Sequence, residues 1–278
     1  MVHRAFRIAY DGTSYHGFQR QPDVPTVEEA IFDACRALDV LAPDADKPDG
    51  YAAAGRTDAG VSALAQTIAL EAPDWLAPRA LNAELPADVR AWAVADAPAG
   101  FHATHHANRR VYTYHLYAPA DESDRAARSI DDDRFRAACE ALSGTHDFHN
   151  LTPDDRNTER SPSLDVRREG DYLVCTVSAG GFARELVRRL VSLARDVGTG
   201  DEPLAKIDRA LASEPLPGHE GIAPAPPEPL VLTDVQYPDL TFETDEEAAA
   251  SARAVFERRR IDRRTDARVA GQVADGIR

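Results

Sequence analysis

The sequence predicts an α+β fold built as two similar halves. Alternating apolar residues predict strands, and apolar residues spaced three or four apart predict amphipathic helices. These patterns follow the order strand, helix, loop, strand, and then strand, helix, strand, helix, strand. This order is typical of antiparallel or mixed sheets with helices on one face. We expect subdomains over residues 1–100 and 101–240, followed by a charged helical extension over residues 241–278.

Each half supplies its own strands and helices. Thr26 and Glu29 form a capping box that marks the start of the first helix. The elements expected in the first half are a strand over 6–10, a helix over 27–39, a strand or helix over 61–70, a short helix over 79–85 and a strand over 89–94. Those expected in the second half are strands over 111–117, 172–177 and 230–235, and helices over 131–142, 182–197 and 203–211. A capped helix over 244–260 and a charged tail complete the chain.

The composition excludes several classes of protein. With 43% hydrophobic and 28% charged residues, the 278-residue chain is globular rather than disordered. It contains no apolar run long enough for a membrane span and no apolar signal region at residues 1–6. Its three cysteines are widely spaced, which excludes a disulfide framework and a zinc site made of cysteines alone. We therefore expect a cytoplasmic protein.

The charge balance is strongly acidic, with a formal net charge of −15. Thirty of the 47 acidic residues are aspartates, and only two of the 32 basic residues, Lys47 and Lys206, are lysines. We interpret this composition as adaptation to a salty cytoplasm, since a GC-rich genome would explain the arginines but not the aspartates. At about 1 M salt the Debye length is only ~3 Å. The net charge therefore does not exclude RNA as a partner.

Signatures of common nucleotide, metal and hydrolase sites are absent from the sequence. There is no phosphate-binding loop, no Gly-x-Gly-x-x-Gly, no His-Glu-x-x-His and no Gly-x-Ser-x-Gly. Histidines cluster at residues 102–106 and 146–149, but surface or loop histidines are the favoured interpretation. We expect no cofactor and no metal.

One loop, residues 55–61, combines opposite charges with glycines. Arg56 and Asp58 lie between Gly55 and Gly60. Glycine permits tight backbone turns and the close approach of a substrate. A neighbouring guanidinium favours the ionised carboxylate that a nucleophile needs. From these residues alone, a structural Arg–Asp pair in a turn is the favoured alternative.

The same loop, Gly-Arg-Thr-Asp-Ala-Gly-Val, resembles the signature of the tRNA pseudouridine synthase A family, whose aspartate is catalytic. Further segments resemble motifs of this family in the same order. They are residues 10–21 with 26–29, 81–86, 101–103 with 110–114, 144–148 and 182–189. The matches span residues 6–235, which makes the ordered set far more specific than one short motif.

A few positions depart from the family pattern. Ser62 stands where bacterial members often have His, and Leu186 replaces the usual Met after an atypical Ala-Arg-Glu at 183–185. These changes are conservative for catalysis. Thr104 replaces a basic residue, which puts one RNA contact in doubt. No family motif matches the chain after about residue 240.

The resemblance implies a fold, a reaction and a partner. The fold is that of pseudouridine synthases, with an active-site cleft between the two subdomains. The reaction isomerises uridine to pseudouridine without a cofactor, at positions 38–40 in the anticodon stem-loop of tRNA. The family acts as a homodimer that binds tRNA across both subunits. The arginines expected at the cleft are Arg20, Arg109, Arg110, Arg184, Arg188 and Arg189.

The resemblance also implies roles for individual residues. Asp58 would attack C1′, add to C6 or remove a proton from C2′. Arg56 would fill the space left by the flipped base or contact a phosphate, and Arg188 would pair with Asp58. Tyr112 would stack on the uracil. The alternatives for Tyr112 and Arg188 are a core tyrosine and a surface arginine. The residues expected to bind substrate are Gly55, Thr57, Gly60, Tyr15, Gln19, Arg20, Asn82, Arg110 and Phe182.

Two other functions compete with this one. The first is a non-catalytic RNA-binding module of the same fold. RNA binding alone needs no carboxylate among phosphates, so the combination of Asp58 with Arg56, Tyr112 and Arg188 argues against it. The second is an unrelated interaction protein in which residues 55–61 form only a turn. The ordered set of motifs argues against that.

Overall fold

The computed structural model describes residues 1–119 and 128–277. The strands of this part are β1 (Val2–Tyr10), β2 (Ala52–Ala53), β3 (Ser62–Ala72), β4 (Val89–Asp96), β5 (Arg109–Tyr117), β6 (His146–Asp147), β7 (Glu159–Arg160), β8 (Ser163–Glu169), β9 (Tyr172–Ala179), β10 (Leu230–Gln236) and β11 (Glu243–Thr244). Its α-helices are α1 (Val27–Ala37), α2 (Pro78–Glu84), α3 (Asp132–Leu142), α4 (Leu186–Gly198), α5 (Ala205–Ala210) and α6 (Glu246–Gly276).

A continuous nine-stranded sheet joins the two halves. Its strand order is β11-β4-β1-β3-β10-β5-β9-β8, and β2 pairs with β3 beside this path. The neighbouring strands are antiparallel except at the junction, where β10 runs parallel to β3. Val231 there lies opposite Ser62, and Leu232 lies opposite Ala63. The loop at residues 55–61, which leads directly into β3, therefore lies where the halves meet.

Two hydrophobic clusters pack against this sheet. The first includes Phe6, Ile31 and Leu70 and draws mostly on residues 5–107. The second includes Phe135 and Leu190, from α3 and α4, and draws mostly on residues 114–230. Tyr112 on β5 packs against both clusters, which places its ring at their boundary.

Most elements form where the hydrophobic periodicity predicts them. The hydroxyl of Thr26 accepts the Glu29 backbone N–H at 3.3 Å, as expected for the cap of α1. The ambiguous segment at 61–70 forms strand β3. No helix of the described residues is long and apolar enough to cross a membrane.

Two predicted helix boundaries are wrong. The helix expected from residue 182 begins at Leu186, because Glu185 adopts a left-handed backbone with φ of 60°. The last helix begins after Asp245, whose side chain accepts the Ala248 N–H, and continues to residue 276 instead of ending at 260. Its buried residues are confined to the first two turns, so no apolar stripe marks its later length in the sequence.

Candidate active site

A cleft of about 1770 Å³ contains the loop that the sequence singles out. It is lined by residues 16–21 and 51–59 from the first half of the chain. The second half contributes Arg110, Tyr112 and residues 181–188, which precede and begin α4. Both hydrophobic clusters therefore contribute walls to one shared cavity.

Side chains beneath the loop hold its backbone in place. Gln66, fully buried on β3, donates to the Gly55 carbonyl at 2.9 Å. The hydroxyls of Tyr10 and Thr57 share a hydrogen bond of 2.7 Å inside the core. The Val61 N–H donates to the Asp58 carbonyl at 3.1 Å, which closes a turn directly after the carboxylate. Asp58 is therefore presented from a rigid support.

Two glycines within residues 10–21 allow this segment to pack against the back of the loop at residues 55–61. A Cβ atom on Gly12 would lie 2.0 Å from the Val61 carbonyl oxygen. Gly17 has a φ of +97°, and a Cβ there would lie 3.0 Å from the Thr57 carbonyl oxygen. The Phe18 N–H donates to that same oxygen at 3.1 Å. Glycine at these positions is required by close backbone approach.

An ion pair between Asp58 and Arg188 spans the cleft. Arg188 Nη1 lies 3.0 Å from Asp58 Oδ2, and Arg188 Nε donates to the Ala225 carbonyl at 2.7 Å. The Arg188 side chain is only 13% exposed, whereas that of Asp58 is 32% exposed. No described residue donates a hydrogen bond to Asp58 Oδ1. Arg188 thus holds one carboxylate oxygen, and the other receives no hydrogen bond within residues 1–119 and 128–277.

Tyr112 contributes an aromatic ring to the same wall. Its ring meets that of Phe182 edge to face, with centroids 5.4 Å apart. Burial raises the pKa of Tyr112 to about 12, a shift that nearby Arg110 opposes and Asp58 reinforces. The phenol is therefore neutral at physiological pH and can donate a hydrogen bond.

Two arginines of the cleft differ in what their guanidinium groups bind. Arg56 is exposed and forms no hydrogen bond or ion pair with the described residues. Arg110 instead donates to the Ala54 carbonyl at 2.6 and 3.1 Å, to Gly180 at 2.6 Å and to Thr104 at 2.7 Å. Arg110 therefore joins three backbone segments at the cleft, whereas Arg56 is free to bind a ligand.

Other expected arginines divide between the cleft and its surroundings. Arg20 lines the cleft and pairs with Asp46 at 3.0 Å, and Arg184 lines it close to Asp154. Arg109 donates to Ser178 at 2.7 Å, and Arg189 pairs with Glu185 at 2.6 Å. These last two are not among the residues that line the cleft.

Three residues expected to bind substrate do not line this cavity. The Asn82 side chain bonds to both the N–H and the C=O of Ala91, each at 2.8 Å, and so joins α2 to β4. The Tyr15 hydroxyl donates to Asp88 at 2.7 Å. Gly60 has a φ of +82° and donates to the Tyr15 carbonyl at 3.2 Å. The expected residues that line the cleft are Gly55, Thr57, Gln19, Arg20, Arg110 and Phe182.

The sequence contained an overlooked signal for Gln66. Gln66 and Thr67 stand in the middle of an otherwise apolar strand, and both are fully buried. A buried amide needs hydrogen-bond partners, so a contact between Gln66 and a nearby loop could have been predicted.

The three cysteines are free and buried, as their apolar neighbours predict. Within residues 1–119 and 128–277, no three His, Cys, Asp or Glu side chains are grouped to hold a metal ion.

Comparison with known proteins identifies the family. The chain is 58% identical to tRNA pseudouridine synthase A of Haloarcula marismortui, over 99% of this chain and 100% of that protein. It is 59% identical to the protein of the same name in Natronomonas pharaonis, over 98% of each chain. The chain belongs to the tRNA pseudouridine synthase A family. A family model described as tRNA pseudouridine synthase also matches residues 138–238.

Membership of this family determines the class of reaction. The protein is an isomerase that acts on tRNA and converts uridine to pseudouridine. Its mixed sheet with packed helices is consistent with the pseudouridine synthase fold. A more distant relative, tRNA pseudouridine synthase A of Methanothrix thermoacetophila, is 42% identical over 87% of this chain and 85% of that protein. The first two relatives come from halophilic archaea, which fits the aspartate-rich composition.

Proposed function

We propose that this enzyme modifies uridines at positions 38–40, in the anticodon stem-loop of tRNA, with Asp58 as the catalytic carboxylate. The observation that carries the assignment of Asp58 is its half-paired state: Arg188 holds one oxygen, and no described residue occupies the other. The positions within tRNA rest on the resemblance of the sequence motifs to those of the family.

The reaction rearranges bonds within one nucleotide. The C1′–N1 bond breaks, the uracil turns and a C1′–C5 bond forms. A proton leaves C5 and N1 ends with a proton, so the atoms balance without an oxidant or a leaving group. The target nucleotide must leave the base stack to reach Asp58. The cleft, with a volume of about 1770 Å³, has room for a flipped nucleotide.

In this proposal, Arg188 positions the carboxylate. Its Nε is held by the Ala225 carbonyl, so its Nη1 fixes one oxygen of Asp58 in the cleft. The free Oδ1 then attacks C1′, adds to C6 or removes the C2′ proton. In each of these steps Asp58 acts as a carboxylate, and Arg188 supplies the charged hydrogen-bond donor that orients it.

Tyr112 and Arg56 act on the flipped nucleotide. Tyr112 lines the cleft and offers an aromatic ring on which the uracil can stack. Its neutral phenol remains a hydrogen-bond donor near the site of proton transfer. The guanidinium of Arg56, which pairs with none of the described residues, fills the space left by the flipped base or binds a phosphate. Gln19 and Arg20 extend the binding surface along the cleft.

The other expected binding residues support the site from behind. Thr57 and Gly55 are held through Tyr10 and Gln66. The guanidinium of Arg110 is occupied by backbone carbonyls. We propose that these residues shape the cleft and leave the contact with RNA to their neighbours.

We also propose that the enzyme acts as a homodimer in the cytoplasm. Three exposed aliphatic residues lie on α6, Ile261, Val269 and Val273, and Ile277 follows directly after its last residue. They recur at intervals of four or eight residues. A groove of about 1280 Å³ runs between α6 and the sheet. Such an aliphatic stripe beside a groove favours contact with a second copy. Light scattering in molar KCl should show a dimer, and Val269→Asp with Val273→Asp should shift it towards monomer.

The test of the catalytic assignment is tritium release from tRNA labelled at uridine C5, in molar KCl. Wild type should release tritium, and the modified sites should map to positions 38–40. Asp58→Asn should release none. Asp165→Asn, which changes an exposed carboxylate on β8, should behave as wild type.

Other results would contradict specific parts of the proposal. Equal release by Asp58→Asn and wild type would remove Asp58 from the chemistry. Release that maps to other uridines would overturn the positions. Binding of tRNA by folded wild type without release would favour the non-catalytic RNA-binding module.

A further inference from the structure

We infer that Arg259 and Arg263 of the C-terminal helix are positioning residues for Asp58. They neutralise a buried carboxylate, Asp11, and thereby hold residues 11–18, the segment on which the loop at residues 55–61 rests. This inference rests on the proposed function, in which Asp58 reacts with the uridine.

The ion-pair cluster brings two arginines to two carboxylates. Asp11 is only 5% exposed, and its Oδ2 accepts from Arg259 Nη1 at 2.7 Å and from Arg263 Nη2 at 2.6 Å. Arg259 Nη2 also reaches Asp88 Oδ2 at 3.2 Å. The other oxygen of Asp88 accepts from the Tyr15 hydroxyl at 2.7 Å. Arg259 therefore bridges two carboxylates that lie close together.

Residues 11–15 are ordered by this cluster. Asp11 Oδ1 accepts from the Thr13 N–H at 3.2 Å and from its hydroxyl at 2.7 Å, which caps the short turn at Gly12–Ser14. Asp11 also donates its own N–H to the Asp88 carbonyl at 3.0 Å. The turn is thus tied to Asp88 through both side chain and backbone.

Two hydrogen bonds connect this turn to the loop. The Tyr15 carbonyl accepts from the Gly60 N–H at 3.2 Å, and the Gly12 N–H donates to the Ser62 hydroxyl at 3.1 Å. They flank Val61, whose N–H bonds to the Asp58 carbonyl. A short chain of contacts therefore runs from α6 through Asp11 and the turn to the Asp58 backbone.

The arginines are the charge partners that Asp11 requires. They lie four residues apart, on one face of the helix. Across the described residues, no other cationic side chain pairs with Asp11. Burial alone would raise the pKa of Asp11, but hydrogen bonds from Thr13 and Arg263 outweigh it and hold the pKa below its ordinary value. Loss of both guanidiniums would leave a buried, uncompensated charge.

The position of these arginines predicts which kinetic constant depends on them. Both line the groove between α6 and the sheet, and neither lines the cleft. Their loss should therefore displace Asp58 and slow the chemical step without removing a contact to tRNA. A small misplacement of a catalytic group can cost up to about 100-fold in rate.

The test compares Arg259→Gln/Arg263→Gln with wild type. Single-turnover tritium release at saturating enzyme in molar KCl gives the rate constant, and filter binding gives the Kd for tRNA. We expect the rate constant to fall about 10- to 100-fold. The Kd should stay within about threefold, since the cleft contacts remain. Arg259→Lys/Arg263→Lys, which keeps both charges, should recover most of the rate.

Arg258→Gln is the matched control. Arg258 adjoins Arg259 in the chain, is 77% exposed and pairs with Asp262 on the same helix. The rate constant and the Kd of the Arg258→Gln variant should equal those of wild type. Far-ultraviolet circular dichroism and denaturant unfolding should establish that each variant is folded at the assay temperature.

Several outcomes would overturn the inference. A wild-type rate constant in the folded double glutamine variant would do so. A raised Kd with an unchanged rate constant would instead assign the arginines to tRNA binding. If the double variant does not fold, Arg259→Gln and Arg263→Gln are measured separately, since each removes one of the two guanidiniums that hold Asp11. Wild-type rate constants in both single variants would overturn the inference.

Asp58→Asn, measured in parallel, separates this inference from the proposed function. Activity in Asp58→Asn would mean that the proposed function fails. An inactive Asp58→Asn beside a fully active double glutamine variant would mean that only the positioning role fails.

Discussion

Asp58 and Asp11 lie in two regions that border the same loop, and both pair with arginines. In the cleft, Asp58 is 32% exposed, and among the described residues it pairs with Arg188 alone, through one of its two oxygens. Behind the loop, Asp11 is 5% exposed, and both of its oxygens accept hydrogen bonds. Asp58 thus has an oxygen available for the role we propose, whereas both oxygens of Asp11 are already engaged by side chains and backbone of the protein.

The arginines show the same division. Arg56 has no partner in the described part of the chain, while Arg110 gives its donors to three backbone carbonyls. The residue type, arginine or aspartate, therefore does not distinguish a group that can bind substrate from one that supports the fold. The number of hydrogen bonds that the group already makes does distinguish them. A donor or acceptor that is fully hydrogen-bonded cannot bind a substrate without losing an existing bond.

The largest expected effect is on the reactive side of this comparison. Asp58→Asn should lower the single-turnover rate constant roughly 10⁴-fold or more, as loss of a catalytic group does. Its free energy of unfolding should change by less than about 1 kcal/mol, because the side chain is partly exposed. Denaturant titration in molar KCl checks the second claim. A large loss of stability would mean that Asp58, like Asp11, is needed to hold the fold together.

Gly12→Ala tests the supporting side. Its Cβ would lie 2.0 Å from the Val61 carbonyl oxygen, and backbone must move to relieve the clash. The free energy of unfolding should fall by about 3 kcal/mol. Gly218→Ala is the control, because no heavy atom lies within 4 Å of the added Cβ. If the free energy of unfolding of Gly12→Ala fell by less than about 1 kcal/mol, the backbone at Val61 would be able to move at little cost.

Arg188→Gln should lower the rate constant about 100-fold, because Asp58 loses the group that orients it. The Kd for tRNA should remain close to that of wild type. Arg195→Gln, on the same helix but outside the cleft, provides the comparison. Equal rates in the two variants would remove the positioning role assigned to Arg188.

Asn82→Ala extends the comparison to a residue that the motifs associate with substrate. Because its amide satisfies both backbone groups of Ala91, the variant should lose about 2 kcal/mol of unfolding free energy. The rate constant of the folded fraction should be unchanged. A weaker Kd with intact stability would instead place Asn82 in contact with tRNA.

The smallest expected effect is a dependence of stability on acid pH. The pKa of Asp11 is lowered in the folded protein from its ordinary value of 3.8. The group therefore adds stability above that value, and this contribution is lost as the pH falls through the folded-state pKa. Denaturant unfolding between pH 6 and pH 3 should show a smaller decrease for Asp11→Asn than for wild type. Parallel curves would show that Asp11 is not the responsible group.

Much of the fold was predictable because its signals are local. Periodicity marked β1, β4 and α1, and the Thr26 cap marked where α1 begins. The start of α4 was missed because a left-handed residue at Glu185 leaves no trace in hydrophobic spacing. The end of α6 was missed because most of the helix is exposed. The subdomain boundary near residue 100 stays a prediction.

The candidate site was predictable in its chemistry but not in its connections. The loop with Arg56 and Asp58 and the ordered motifs were visible in the chain, whereas the pairing of Asp58 with Arg188 was expected only because the family resemblance implied it. The roles of Gln66 and Arg110 were not visible, because each depends on which carbonyl lies within reach.

By itself the sequence determined the kinds of elements, their order and the family to which they belong, since periodicity, caps and motifs are properties of neighbouring residues. Only the tertiary structure decided which charged groups remain available. Arg259 meets Asp11 across 248 positions of the chain, and Arg188 meets Asp58 across 130. Sequence spacing carries no information about such distances, because they are set by how the sheet and helices pack.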